Sequence, residues 1–201
     1  MMRKMGSRIT EILRDANGMA GVVDVLGKSH PIPGDRLIHL QFRRYAGCPI
    51  CNLHLQEFRK RHQEIEAAGI RTLAIFDSSP ETVRPYAADF PVAFVADPTR
   101  KLYKQFGVRI SWRALFSIRT IVAALQGMRL GRMRGPEKAR SSFGLPADFL
   151  ISSEGFLLAA HYGKHAYDQW SVDELLDLVT RTSRNAMDKE DPRSANAADV
   201  Y

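Results

Sequence analysis

A chain of 201 residues, 45% hydrophobic and 25% charged, has apolar material for one globular core, which excludes a disordered or fibrous chain. Its 29 Lys and Arg against 22 Asp and Glu leave a net charge of +7. No apolar run of about 18 residues exists to span a bilayer. The two cysteines exclude a disulfide scaffold and an iron–sulfur cluster, which takes about four thiolates.

The N-terminal "MMRKMGSRITEILRDANG" is basic and then alternates apolar and charged residues, without the apolar run or cleavage site of a secretory signal. It is expected to form a short amphipathic helix, capped at Ser7 or Thr10 and stopped at Gly18, in an attached segment 1–21. The cytoplasm is the expected compartment. "VVDVLGKSHPI" (22–32) reads as a hairpin turning at Gly27-Lys28, and "LIHLQFRR" (37–44) as a mostly buried strand. Residues 49–68 follow as one long helix stopped by Gly69, with Cys51, Leu55, Phe58, His62 and Ile65 on its apolar face. "IRTLAIF" (70–76) is the next strand. A helix starts at Ser79-Pro80, and Pro85 is expected to reset or kink it.

"VAFVAD" (92–97) reads as a strand and 98–107 as a short helix ending at glycine. Residues 114–130 form a helix whose stripe of Leu115, Ile118, Ile121, Val122, Leu125 and Met128 suits core packing. Residues 134–144 are a loop, and 147–152 and 156–162 are a hairpin around "SEG". Ser171 and Glu174 fit a capping box before a helix ending near residue 182. The polar tail 183–201 is expected to be disordered. Strands alternating with helices imply parallel pairing, and the hairpin adds antiparallel strands, so the 22–182 domain is α/β with a mixed sheet flanked by helices.

Basic residues gather at 109–140, where Arg109, Arg113, Arg119, Arg129, Arg132, Arg134, Lys138 and Arg140 face the single acid Glu137. Such a stretch is either a solvated face or a surface for an acidic partner. No helix-turn-helix, zinc finger or aromatic-basic pattern accompanies it, which speaks against nucleic acid.

The chemistry rests on "AGCPIC" (46–51). Cys48 lies where a buried strand passes into a helix, beside unpaired backbone N–H groups and the positive end of the helix dipole, which favour a thiolate. Arg43 and Arg44 stand just before it and add positive potential. Cys51, one turn later on the same face, can close a local disulfide, so Cys48 attacks and Cys51 resolves. A zinc site would have to recruit His54 or His62 and a carboxylate, and His62 reads better as a packed core residue. Asn52 stands where covalent haem attachment needs histidine. Two inert buried thiols suit Cys51 better than the pair. No cofactor and no metal are expected.

The chain resembles the thioredoxin superfamily. "CPIC" is similar to its glutaredoxin-type centre, and "LPADFLISSEGFLLAAHYG" (145–163) to its proline-strand-hairpin segment. "FPVAFVADPTRKLYKQFGV" (90–108) resembles the inserted strand and helix of peroxiredoxins. The group indicated is the peroxiredoxin-like proteins of the alkyl hydroperoxide reductase/thiol-specific antioxidant (AhpC/TSA) family. The resemblance implies a thioredoxin-like fold with a peroxiredoxin-type insertion, which the extra basic helix of this chain exceeds. It implies Pro146 as a cis-proline facing the cysteines. Tyr45, Arg43 and Arg44 are candidate substrate-binding or activating neighbours of Cys48 by their proximity in the chain, not by a family match. The resemblance departs at Gln41 and Tyr45, which stand where the family places proline and threonine or serine. The implied activity is peroxide reduction by a Cys48/Cys51 dithiol that thioredoxin or glutathione regenerates. A disulfide reductase, or a binding protein using 109–140, stand as alternatives. The basic insertion would cover the active-site side or make a homodimer contact.

Overall fold

A computed structural model describes residues 3–9, 13, 18, 20–88, 90–111, 122, 124–126, 128 and 135–190. A small hairpin of β1 (Gly21–Val23) and β2 (Ser29–Pro31) precedes the main sheet. Asp24 shapes its turn: one carboxylate oxygen accepts from the amides of Leu26 and Lys28, both at 2.9 Å. The main sheet holds β3 (Leu37–Arg43), β4 (Ile70–Phe76), β5 (Ala93–Ala96), β6 (Ala147–Ile151) and β7 (Leu157–Tyr162), in the order β5-β4-β3-β6-β7. β3, β4 and β5 pair in parallel, and β6 and β7 add the antiparallel half. This is the expected α/β mixed sheet of a thioredoxin-like fold.

Helices α1 (Pro49–Lys60), α2 (His62–Ala67), α3 (Pro80–Ala87), α4 (Lys101–Gln105) and α5 (Val172–Glu190) complete the described architecture. The single helix expected over 49–68 is two. The chain leaves helical dihedrals at Arg61 (φ −105°, ψ 21°), whose guanidinium holds Glu64 and reaches Asp173 at the start of α5. Neither Gly nor Pro marks that break. Pro85, expected to reset or kink its helix, lies inside an unbroken α3. Its missing N–H removes one bond of the ladder, the one that would reach the Glu81 carbonyl, and the helix runs only two residues further. Ser79 caps α3 through the Thr82 amide, as its place before Pro80 suggested.

Central strand β3 is buried on both faces. On one side Ile38, Leu40 and Phe42 join Phe149, Tyr103, Phe106, Ile9 and Leu13. A second cluster on the other side joins Leu55, Phe58 and Ile65 to Phe76, Phe94, Trp170 and Leu175. Complete burial of a ring such as Phe58 is worth about 1.5–3 kcal/mol. The N-terminal segment contributes to this packing in an unexpected conformation. Residues 6–9 run beside β7: Gly6 N–H donates to the Leu157 carbonyl and Ile9 N–H to that of Gly155, both at 2.8 Å. Ser7 therefore caps no helix, because its backbone completes the sheet edge. Most of the expected helix body, 10–17, lies outside the described residues.

At the other end, α5 continues through Glu190, so residues 183–190 are helical and not the start of a disordered tail. An Asp177–Arg181 pair one turn apart supports that continuation. Residues 191–201 lie outside the described ones. Most of the basic stretch does too, including Arg113, Arg119, Arg129, Arg132 and Arg134. Among the described part, Lys138 and Arg140 donate to the Pro98 carbonyl, and the expected loop contains a 3-10 segment, Ala139–Phe143. Of the apolar stripe, Val122, Leu125 and Met128 are exposed rather than packed. Ala124 is partly buried and packs against the cluster of Cys48, Ile50, Cys51 and Ala166, and Leu115, Ile118 and Ile121 lie outside the described residues.

Candidate active site

The end of β3 and the start of α1 build the site. Arg43 and Arg44 are adjacent on an extended chain, so their side chains leave on opposite faces. Gly47 then takes φ +81°, a conformation open to glycine, and turns the chain into the helix. Cys48 is the N-cap (φ −63°, ψ 121°) and Pro49 the first helical residue, where a missing N–H costs nothing. The Ala46 amide donates to Ser78 Oγ at 3.1 Å and the Asp77 amide to the Arg44 carbonyl at 3.1 Å, which fixes the loop against the end of β4.

Cys48 Sγ receives two donors: Arg44 Nη2 at 2.9 Å and the Cys51 backbone N–H at 3.3 Å. Arg44 is itself buried, and its Nη1 donates to the Ser142 carbonyl at 3.0 Å. Both thiols are free and buried, Cys48 1% and Cys51 3% exposed. Burial opposes ionisation of either sulfur. Against it, the hydrogen bond with the Cys48 sulfur and the Arg44 charge lower Cys51 to about 5. Burial and the Cys51 charge hold the other, Cys48, well above the ordinary thiol range. The pair thus keeps one proton and one negative charge near neutrality and titrates as a unit. The Arg44 and Cys51 N–H donors both converge on Cys48 Sγ, which equips that sulfur to hold the charge when the shared proton lies on Cys51. Arg44 is raised in turn: burial alone would lower it, and the two sulfurs outweigh burial.

Tyr45 lines a pocket of about 20 Å³ with Gly47, Cys48, Cys51, Tyr86 and Phe90. Its ring centre is 5.7 Å from the Arg44 guanidinium carbon. Burial, then the Cys48 charge, raises its phenol to about 12, so it keeps its proton as a donor. The pocket has room for roughly one water-sized molecule.

The other expected neighbours lie elsewhere. Arg43 points to the opposite face, fully buried, and donates to Gln41, Gln169, His54 and Asp148 at 2.5–3.3 Å. Pro146 is not a cis-proline. The cis bond among the described residues is Ile32–Pro33, and Pro146 packs against Gly163, whose amide donates to its carbonyl at 2.9 Å. His62 is half-buried beside Glu66, and the histidine of α1, His54, is the one packed in the core. No group of three or more His, Cys, Asp or Glu among the described residues could hold a metal.

Beneath α1 lies a buried polar network that the sequence reading missed. Asp148 accepts from Arg43 and from His39 Nε2, both at 3.3 Å, and from the Trp170 amide at 3.3 Å. Burial opposes its charge, yet Arg43 and His39 hold it down at about 2. His54 donates to the Trp170 carbonyl at 2.7 Å and accepts from Arg43 at 3.1 Å. Burial, then Arg43, lowers it to about 3, so it is neutral. His39 is lowered as well, chiefly by burial. The signal lay in "HLQFR": polar residues at every second position of a strand apolar on its other face need buried partners.

The AhpC/TSA family matches residues 32–160, more than half of the chain. The chain belongs to the AhpC/TSA family. It is accordingly a thiol-dependent oxidoreductase of the peroxidase type, and a peroxide-reducing role follows from that membership. Three solved structures share its fold. The peroxidoxin BcpB of Mycobacterium tuberculosis aligns over 90% of this chain and 98% of its own, with TM-score 0.60 and 16% identity. A cysteine-to-serine mutant of peroxiredoxin 6 from Arenicola marina aligns over 92% and 75%, with TM-score 0.64 and 13% identity. The reduced 2-Cys peroxiredoxin of Plasmodium vivax aligns over 82% and 77%, with TM-score 0.59 and 13% identity. No curated protein sequence matches the chain. Among the described residues no helix is long and apolar enough to cross a membrane.

Proposed function

We propose that this AhpC/TSA protein reduces peroxides through Cys48 and Cys51 as a local dithiol. The observation that carries the reading is Cys48 Sγ at a helix N-cap, holding Arg44 and Cys51 N–H as donors at the floor of a pocket of about 20 Å³. The Cys48 thiolate attacks the distal peroxide oxygen. An S–O bond forms, the O–O bond breaks, and the departing alkoxide leaves as an alcohol with a proton from the Tyr45 phenol or from water. Arg44 steadies the thiolate before attack. Tyr45, protonated beside the sulfur, stands in for the hydroxyl donor that the family usually places three residues before the cysteine. Cys51 Sγ then attacks the Cys48 sulfenic sulfur, forming the disulfide and releasing water. Two electrons and two protons from an external thiol, such as thioredoxin or glutathione, regenerate the pair. A cytoplasmic setting, where such thiols are kept reduced, suits the cycle.

Burial of both sulfurs favours a small oxidant over a protein disulfide as substrate. The test is single-turnover oxidation by hydrogen peroxide, followed by mass spectrometry. The native chain should lose both free thiols per peroxide, Cys51→Ser should stop at a Cys48 sulfenic acid, and Cys48→Ser should not react. A native rate no faster than that of a free thiol would sink the proposal.

A further inference from the structure

The basic stretch is where the fold leaves most of its apolar side chains outside. Nine large apolar side chains are exposed among the described residues, and five of them, Ile110, Val122, Leu125, Met128 and Phe143, fall between residues 110 and 143. A backbone neck joins this insertion to the body of the domain. Ser111 N–H donates to the Phe143 carbonyl at 2.8 Å, and Leu145 N–H to that of Arg109 at 3.1 Å. Residues 122, 124–126 and 128 are helical. Val122, Leu125 and Met128, spaced three apart, share one face of that helix and are 47%, 55% and 44% exposed. Ala124 packs against Cys48, Ile50, Cys51 and Ala166. The helix therefore rests on the dithiol cluster through a small residue and leaves an apolar stripe outside. Single exposed apolar residues are ordinary, but a contiguous stripe marks a docking face.

The charge of the stretch selects what covers the stripe. Residues 109–140 carry eight Lys and Arg against the single acid Glu137. Arg109, Lys138 and Arg140 are exposed among the described ones. A symmetric contact between two copies would set this basic stretch against itself, which like-charge repulsion opposes. A nucleic-acid backbone would satisfy the charge and leave Val122, Leu125 and Met128 in water. An anionic lipid surface answers to both features: its headgroups attract Lys and Arg, and its acyl boundary takes up the apolar stripe. A helix used in this way lies in the plane of the interface and does not cross it.

We infer that the insertion docks the protein on an anionic lipid surface: Val122, Leu125 and Met128 enter the boundary between headgroups and acyl chains, and the positive charge of residues 109–140 supplies the attraction. The docked helix then separates the Cys48 cluster from the lipid by its own diameter, about 10 Å. The inference concerns binding and does not rest on the dithiol cycle.

The probe is a set of vesicles co-sedimented with the full chain: phosphatidylcholine containing about a third phosphatidylglycerol, and phosphatidylcholine alone. Binding to the mixed vesicles is expected. It should be at least about 10-fold weaker on phosphatidylcholine alone, and weaker in about 0.5 M salt than in about 0.1 M. Leu125→Asp, a change at an exposed position, should weaken it by about 10- to 100-fold, as for loss of one inserted apolar side chain. Leu125→Met should bind as the native chain does. No co-sedimentation at about 5 mM lipid overturns the inference, and so does equal binding to both kinds of vesicle. Native affinity in Leu125→Asp also overturns it, because charge alone would then act, as at a site for nucleic acid. Sedimentation equilibrium of the chain without lipid gives the last arm: a mass of two chains that falls to one in Leu125→Asp would make a second copy the occupant. Because the readout is binding and not turnover, the inference fails or succeeds independently of the dithiol chemistry.

Discussion

Replacing Arg44 by methionine removes the guanidinium that donates to Cys48 Sγ at 2.9 Å, and keeps much of the side-chain bulk. A hydrogen bond to a charged group in a buried site is worth about 1.5–3 kcal/mol. At about 1.4 kcal/mol per pKa unit, the first proton of the pair should therefore leave about 1–2 units higher than its present value near 5. At pH 7 about a half to nine-tenths of the protein would still carry a thiolate. At pH 6 the reactive fraction would fall from about nine-tenths to between a tenth and a half. The measurement is the rate of iodoacetamide alkylation from pH 4 to pH 9, resolved by mass spectrometry between Cys48 and Cys51. Arg44→Lys, which keeps the charge but not the planar fork, should fall between the native chain and Arg44→Met. An alkylation midpoint that does not move in Arg44→Met would refute the role of Arg44 and leave the helix N-terminus as the stabilising group.

The buried network yields further tests. Asp148→Ala should cost about 3–5 kcal/mol of unfolding free energy in guanidinium titrations, because it strands Arg43 in the core without a counter-charge. Asp148 also contributes to acid stability. Its pKa is depressed to about 2 from an ordinary 3.8, so its contribution is present above pH 3.8 and is lost as the pH falls toward 2. His54 gives a separate dependence. It is neutral in the fold and lowered to about 3 from 6.5, so the unfolded chain takes up its proton first. Stability should be full above pH 6.5 and lower at pH 5 by about 2 kcal/mol on this account, and His54→Gln should flatten that slope in urea titrations at the two pH values. Phe90→Ala should open the wall of the dithiol pocket and raise kcat/KM for cumene hydroperoxide relative to hydrogen peroxide. An unchanged ratio would show that Phe90 does not set peroxide size.

Much of this architecture was legible in the sequence. The strand and helix periods, Ser79 before Pro80, and the Ser171–Glu174 box located their elements, and "CPIC" was placed between strand and helix, where the two free cysteines lie. Arg44 was legible as a neighbour of Cys48, but its pairing with Arg43 was not resolvable by proximity. The alternation of an extended chain sends one guanidinium to the sulfur and the other to Asp148, 105 residues away in sequence. Long-range partners of this kind, like the edge pairing of Gly6 and Ile9 with β7, depend on tertiary register and leave no local pattern. The break at Arg61 has the same origin, because the side chain answers to Asp173 on another helix. Pro146 shows the opposite error: a family likeness supplied a backbone geometry that these residues do not adopt.

The near-complete enclosure of Cys48 and Cys51 bears on the return half of the proposed cycle. A peroxide can reach sulfur through a narrow opening, but a thiol carried on another protein must align its own sulfur with the disulfide axis. At 1% and 3% exposure no such line of approach exists in the folded chain. Reduction by a protein partner then waits on transient unwinding of the first turn of α1, and its rate is the opening equilibrium multiplied by the exchange rate of the opened form. Oxidation and reduction of the same two atoms would then differ in their response to mild denaturant: the first indifferent to it, the second accelerated.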